Sequence, residues 1–149
     1  EGLVDNLTGS AFHRDVSEED KRAAREVATS AIRTLIRAAC LVTPTGKQNS
    51  FAAHQLPSLV WVEIRDTNLP VSYANAFCRP VNAKGRDGLE KASVTAFKDE
   101  CEILTEMYEL DARKRLLLAK DQDIEILGIK SGGSLGRLLD EVEKVVLRG

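Results

Sequence analysis

The chain has 149 residues, enough for one domain that buries roughly 68–70% of its unfolded surface. With 43% apolar and 30% charged residues it has the composition of an ordinary globular protein, and no apolar run approaches the roughly 18 residues that a membrane span requires. The net charge of −2 excludes a uniformly basic surface, so any nucleic-acid contact has to come from a local patch. Three cysteines, Cys40, Cys78 and Cys101, make an odd set without metal-ligand spacing, which predicts free thiols in a reducing cytoplasm. The first residue is Glu1 rather than methionine, as in a segment of something longer.

Residues 1–16 lack a clear period and are expected to be irregular, with a helix and strand core over 17–149. Ser17 is a helix cap, and Glu18, Glu19 and Asp20 fill a first turn where the helix dipole favours acids. Ala24, Val27, Ala28, Ala31, Ile32, Leu35, Ile36 and Ala39 follow at helical spacing, with Arg22, Arg25, Arg33 and Arg37 on the other face. Pro44 and Gly46 end this helix near Leu41. After the polar loop Thr43–Ser50, Leu59–Ile64 reads as a strand rich in β-branched and aromatic residues. Arg65–Pro70 is a turn, Val71–Phe77 extended or a short strand, and Arg79–Gly88 a second basic loop.

A second amphipathic helix is predicted over Leu89–Leu110, burying Ala92, Ala96, Phe97, Cys101, Leu104 and Tyr108. Arg115–Ala119 and Ile124–Ile129 look like two short strands around an Asp-Gln-Asp turn. Ser131-Gly132-Gly133 breaks the chain, and Ser134 caps a last helix with Leu135, Leu138, Leu139, Val142, Val145 and Val146 on its apolar side. This order predicts an α+β fold with amphipathic helices packed on a small sheet.

The segment Thr43-Pro44-Thr45-Gly46-Lys47-Gln48-Asn49-Ser50 concentrates one cation, two amides and three hydroxyls, groups that suit phosphates, ribose hydroxyls and base edges. It is not a phosphate-binding Walker loop, because Leu41 stands where the first glycine belongs and Gln48 where the metal-binding hydroxyl belongs. A solvated connection between helix and strand would have a similar composition. Arg79, Lys84 and Arg86 form a second basic stretch beside Gly85 and Gly88, equally compatible with an ordinary surface turn. The arginine face of the first helix and the run Arg113-Lys114-Arg115 have the pattern of solvated surface. His13 and His54 lack a metal partner at helical or turn spacing, and Cys101 lies on an apolar stripe, so no catalytic constellation emerges and no metal or cofactor is implied.

The segments Pro44–Ala53, Ser58–Asp66 and Leu69–Phe77 resemble, in order and spacing over about forty residues, the CasC family of backbone subunits of type I-E CRISPR Cascade. The resemblance implies the C-terminal portion of a longer, non-catalytic subunit with a partial RRM-like (ferredoxin-like) palm. Such subunits polymerise along a guide crRNA and present it to target DNA, beside other copies and other Cascade subunits. It carries RNA contacts onto Lys47, Gln48, Lys84 and Arg86, with Gly46, Asn49 and Arg79 beside them. The thumb and the DNA-facing lysines of the family have no counterpart here. The alternative that the residues leave open is a protein-interaction module that docks partner subunits through its apolar helix stripes, without an RNA site.

Overall fold

The computed structural model describes residues 17–42, 56–81 and 88–148. The chain divides into two compact units, Glu1–Pro57 with Ser134–Gly149, and Ser58–Gly133.

In the first unit, helix α1 spans Glu18–Leu41. The Ser17 side chain accepts a hydrogen bond from the Asp20 backbone N–H at 3.1 Å, satisfying one of the donors that a helix start leaves unpaired. The helix ends where Val42 turns extended, two residues before Pro44, whose ring disfavours the helical conformation in the residue before it. Ala24, Ala28 and Cys40 are buried, with Ile32 and Ile36 half-buried between them, so the seam follows steps of four. Val27 and Leu35, predicted to be buried, are 57% and 70% exposed, and Ala31 and Ala39 are exposed too. The predicted apolar arc is wider than the seam that finds a partner. Thr29 is buried as well, its hydroxyl satisfied by the Arg25 carbonyl at 2.7 Å.

The last helix (α3, Leu135–Arg148) packs along α1 and buries Leu138, Leu139 and Val142. The Arg137 backbone N–H donates to Ser134 Oγ at 3.3 Å, the predicted cap. Arg33 of α1 is not simply solvated: its guanidinium donates to Asp140 at 3.0 Å and to Glu143 of α3.

In the second unit, β1 (Leu59–Ile64) and β2 (Lys114–Ala119) pair antiparallel, from Leu59 opposite Ala119 to Ile64 opposite Lys114. Side chains alternate across a strand, so Leu59, Trp61 and Glu63 share one face with Ala119, Leu117 and Arg115. Helix α2 (Gly88–Met107) lies in the same unit, and Cys101, Tyr73, Leu117, Ala119 and Ile126 form the core, with Trp61, Phe97 and Leu104 against it. Tyr73 and Phe97 meet edge to face with ring centres 5.8 Å apart, a favoured aromatic geometry. The helix stops three residues before the predicted end. Glu109 takes a left-handed φ of 49°, and the Leu110 N–H bonds back to the Thr105 carbonyl, leaving Tyr108 63% exposed instead of buried.

Two local expectations change. Residues 74–77 form a short 3-10 helix (Ala74–Phe77) rather than a strand, with the Ala76 N–H on the Tyr73 carbonyl and the Cys78 N–H on the Asn75 carbonyl. The residues after β2 do not fold back on it around the Asp-Gln-Asp turn. They make their own hairpin, β3 (Glu125–Ile126) and β4 (Ile129–Lys130), whose two loop residues Leu127 and Gly128 have φ of 50° and 76°. β2 is held on that side by a bridge between Leu117 and Ser131 and by the Gly132 N–H on the Leu117 carbonyl at 2.8 Å. Among the described residues no strand pairs with the other edge of β1. The sum is an α+β protein with two-stranded sheets and amphipathic helices, as predicted.

Leu117, 2% exposed at the centre of the sheet, sets a test of this core. Leu117→Ala is expected to cost about 2–5 kcal/mol in urea unfolding, whereas Ser17→Ala at the exposed cap costs about 0.5–2 kcal/mol.

Candidate nucleic-acid interface

Of the residues singled out from the sequence, Gly46, Lys47, Gln48, Asn49, Lys84 and Arg86 lie outside the described residues. Arg79 is described. It is exposed, two residues beyond the 3-10 helix, and has no acidic partner among the described residues. Phe77, 51% exposed, and the exposed Cys78 precede it, so one short segment presents an aromatic face and a cation together, the pair of groups that single-stranded RNA engages by stacking and phosphate contact.

That segment is tied to the sheet by a buried ion cluster which no sequence signal singles out. Glu63 on β1 receives all three of its partners on one carboxylate. Arg65 donates to Oε2 through Nε at 3.1 Å and also through Nη2. The Tyr73 hydroxyl donates to the same oxygen at 3.0 Å, and Arg115 of β2 donates from Nε to Oε1 at 3.1 Å. Arg65 Nη2 also reaches the Tyr73 hydroxyl at 3.2 Å, and Arg115 Nη2 donates to the Leu110 carbonyl. Only 9% of the Glu63 and Arg65 side chains and 19% of Arg115 meet solvent. Arg115 therefore departs from the solvated run predicted for Arg113–Arg115. Arg113 is paired too, with Asp66 at 2.6 Å, but at the surface. The strand pairing explains the cluster. Glu63 stands directly opposite Arg115, and a partner contributed by a strand so far along the chain is invisible in a local pattern.

The electrostatics follow from this geometry. Burial alone would raise the Glu63 pKa, but the hydrogen bonds from Arg65, Tyr73 and Arg115 outweigh it and hold the carboxyl below its usual range. Burial, then the Glu63 carboxylate, pushes the Tyr73 phenol up to about 12. Burial, then Glu63, does the same to the Cys101 thiol, up to about 12.

Two open grooves flank the cluster. One of about 440 Å³ runs between the end of β1 and the turn that follows, lined by Trp61, Arg65, Thr67, Asn68 and Leu69 among others. The other, about 990 Å³, is mainly apolar and collects Trp61, Tyr73, Phe77 and Phe97 with Leu89 and Val94 of α2. Among the described residues there is no group of three or more metal-ligating side chains, and no helix is long and apolar enough to cross a membrane.

The fold has a known counterpart. The fold is that of a chain solved within a structure described as a CRISPR RNA-guided surveillance complex, with a TM-score of 0.65 and 24% identity over 95% of this chain. The present chain spans 49% of that one, about half its length. No curated protein matches the sequence. Residues 1–141 match the family of CT1975-like proteins, a Cas family, and the chain belongs to it.

The Glu63 cluster makes a pH prediction. Because the folded-state pKa of Glu63 is lowered, its contribution to stability is complete above the ordinary carboxylate range and is lost as pH falls through the folded value. Acid unfolding is expected to be shallower in Glu63→Gln than in the parent. At neutral pH Glu63→Ala, which strands two buried guanidinium groups, is expected to cost about 3–5 kcal/mol in denaturant unfolding.

Proposed function

We propose that this protein is a guide-RNA-binding backbone subunit of a CRISPR surveillance complex, corresponding to the C-terminal portion of a longer subunit and working in the cytoplasm. Membership of a Cas family over residues 1–141 carries the proposal, and the likeness of fold to a chain from an RNA-guided complex supports it. Lys47, Lys84, Arg86 and Arg79 contact phosphates of the crRNA, and Gln48 and Asn49, with Gly46 allowing close approach, hydrogen-bond its backbone or ribose. Target DNA is met through the guide, and neighbouring copies and other subunits meet the protein surface.

The role requires no chemistry of this chain. Glu63 and Tyr73 are engaged with each other, and Cys101 is fully buried with its thiol pushed up, the opposite of an activated nucleophile. The apolar side chains left exposed on the helices, Val27, Leu35, Ile103 and Met107, favour protein partners in addition to RNA. A docking module without an RNA site is the second possibility they support.

Salt dependence separates the two. In the assembled complex, Lys47→Ala with Lys84→Ala is expected to weaken guide binding and to flatten the slope of log affinity against log salt by about 0.7 for each lost phosphate contact. An unchanged affinity and slope would rule out these two lysines as the guide contacts.

A further inference from the structure

The larger groove, of about 990 Å³, lies wholly within the second unit, where the 3-10 helix packs against α2. Phe77 of the 3-10 helix and Leu89 of α2 line it and are 51% and 60% exposed. Half-buried Val94 and Phe97 and the buried Tyr73 line it too. A concave, mainly apolar surface with a few polar groups is the usual form of a ligand site.

Two features say what kind of ligand fits. The first is charge. Arg79 stands two residues beyond Phe77, exposed and without an acidic partner among the described residues. An apolar side chain from a protein partner would leave that cation unanswered, whereas a nucleotide brings its own phosphate. Glu90, the carboxylate lining the groove, is already paired with Lys120 at 3.4 Å.

The second feature is a polar atom on an otherwise apolar wall. Ser93 of α2 lines the groove, and its hydroxyl has no hydrogen-bond partner among the described residues. The other two serines of the lining are engaged. Ser72 Oγ accepts from the Ala74 N–H at 3.3 Å, and the Ser58 hydroxyl is bonded to Glu90. A hydroxyl both donates and accepts, so Ser93 serves the edge of any base.

We propose that this groove seats a nucleobase of the guide RNA, stacked on the Phe77 ring, with Ser93 Oγ at its edge and Arg79 on the adjoining phosphate. The occupant rests on the guide-RNA function proposed above. Leu89 and Val94 of α2 supply the apolar wall facing the base. Stacking uses the π-face that every base has, so the seat tolerates any guide sequence. It lies apart from the two basic loops that carry the proposed lysine contacts, and it adds a base-dependent grip to a phosphate-dependent one.

The full chain is titrated, by fluorescence anisotropy, with a labelled single-stranded oligouridylate and with an abasic ribose-phosphate oligomer of equal length and charge. The parent is expected to prefer the oligouridylate by about fivefold or more, the worth of one stacked base. Phe77→Ala is expected to lose that preference while binding the abasic oligomer as the parent does, and Phe77→Trp is expected to keep it. Ser93→Ala is expected to weaken oligouridylate binding by about two- to tenfold and to leave abasic binding unchanged. Arg79→Gln is expected to weaken both and to flatten the salt slope by about 0.7. If Phe77→Ala does not fold, Leu89→Ser on the exposed wall of α2 takes its place, with the same expected loss. A parent that binds both oligomers alike, or a Phe77→Ala that keeps the preference, overturns the seat. If Lys47→Ala with Lys84→Ala still weakens binding in that case, the guide-RNA function survives without it. A Phe77→Ala with parent-like RNA binding but weaker association between copies of the chain assigns the groove to a protein partner and also overturns the seat. Binding of neither oligomer at low salt overturns the guide-RNA function and the seat together.

Discussion

A single carboxylate, that of Glu63, ties the second unit together. It sits on β1, takes Arg115 from β2, Arg65 from the end of its own strand, and the Tyr73 hydroxyl from the approach to the 3-10 helix. Burying a carboxylate is expensive unless its lone pairs are satisfied, so each of these partners is held to its position. The register between β1 and β2 is fixed by the same requirement. A slip of one residue would carry Arg115 to the opposite face and put Leu116 or Lys114 opposite Glu63 in its place. The placement of Phe77 and Arg79 follows from the cluster as well, since Tyr73 begins the 3-10 turn that leads to them.

The sheet needs such a fastening. Two strands alone are marginal in water, and here they gain stability through α2, the β3–β4 hairpin and the ion cluster. The hydrophobic part of the core is small, with Cys101 and Ile126 fully buried between Leu117, Ala119 and Tyr73. One edge of β1 is unpaired among the described residues, and Val27, Leu35 and Met107 on the helices are exposed.

The charge balance also takes on a different meaning. A net charge of −2 argues against nucleic-acid binding only if all cations are equivalent. They are not. Arg33 is spent on Asp140 and Glu143, Arg113 on Asp66, and Arg65 and Arg115 on Glu63, whereas Arg79 keeps its charge at the surface. The field at a local patch is therefore set by which cations have partners, a property that summed composition conceals.

What the sequence determined by itself is local. The Ser17 and Ser134 caps, the extent of α1 and α3, the β-branched strand Leu59–Ile64 and the core position of Cys101 all follow from periodicity and capping, which act over a few residues. The family likeness was legible in the same way, from contiguous segments in the order that the CT1975-like match spans. Tertiary structure alone decided which part of an apolar arc is buried, so that Ala24 and Ala28 are covered while Val27 and Leu35 are not. It decided that the residues after β2 turn on Leu127 and Gly128, because a non-glycine residue at positive φ is a cost that only surrounding packing justifies. Above all it decided that Glu63 meets Arg115. Nothing in either neighbourhood signals the other, and only the pairing of β1 with β2 brings them face to face.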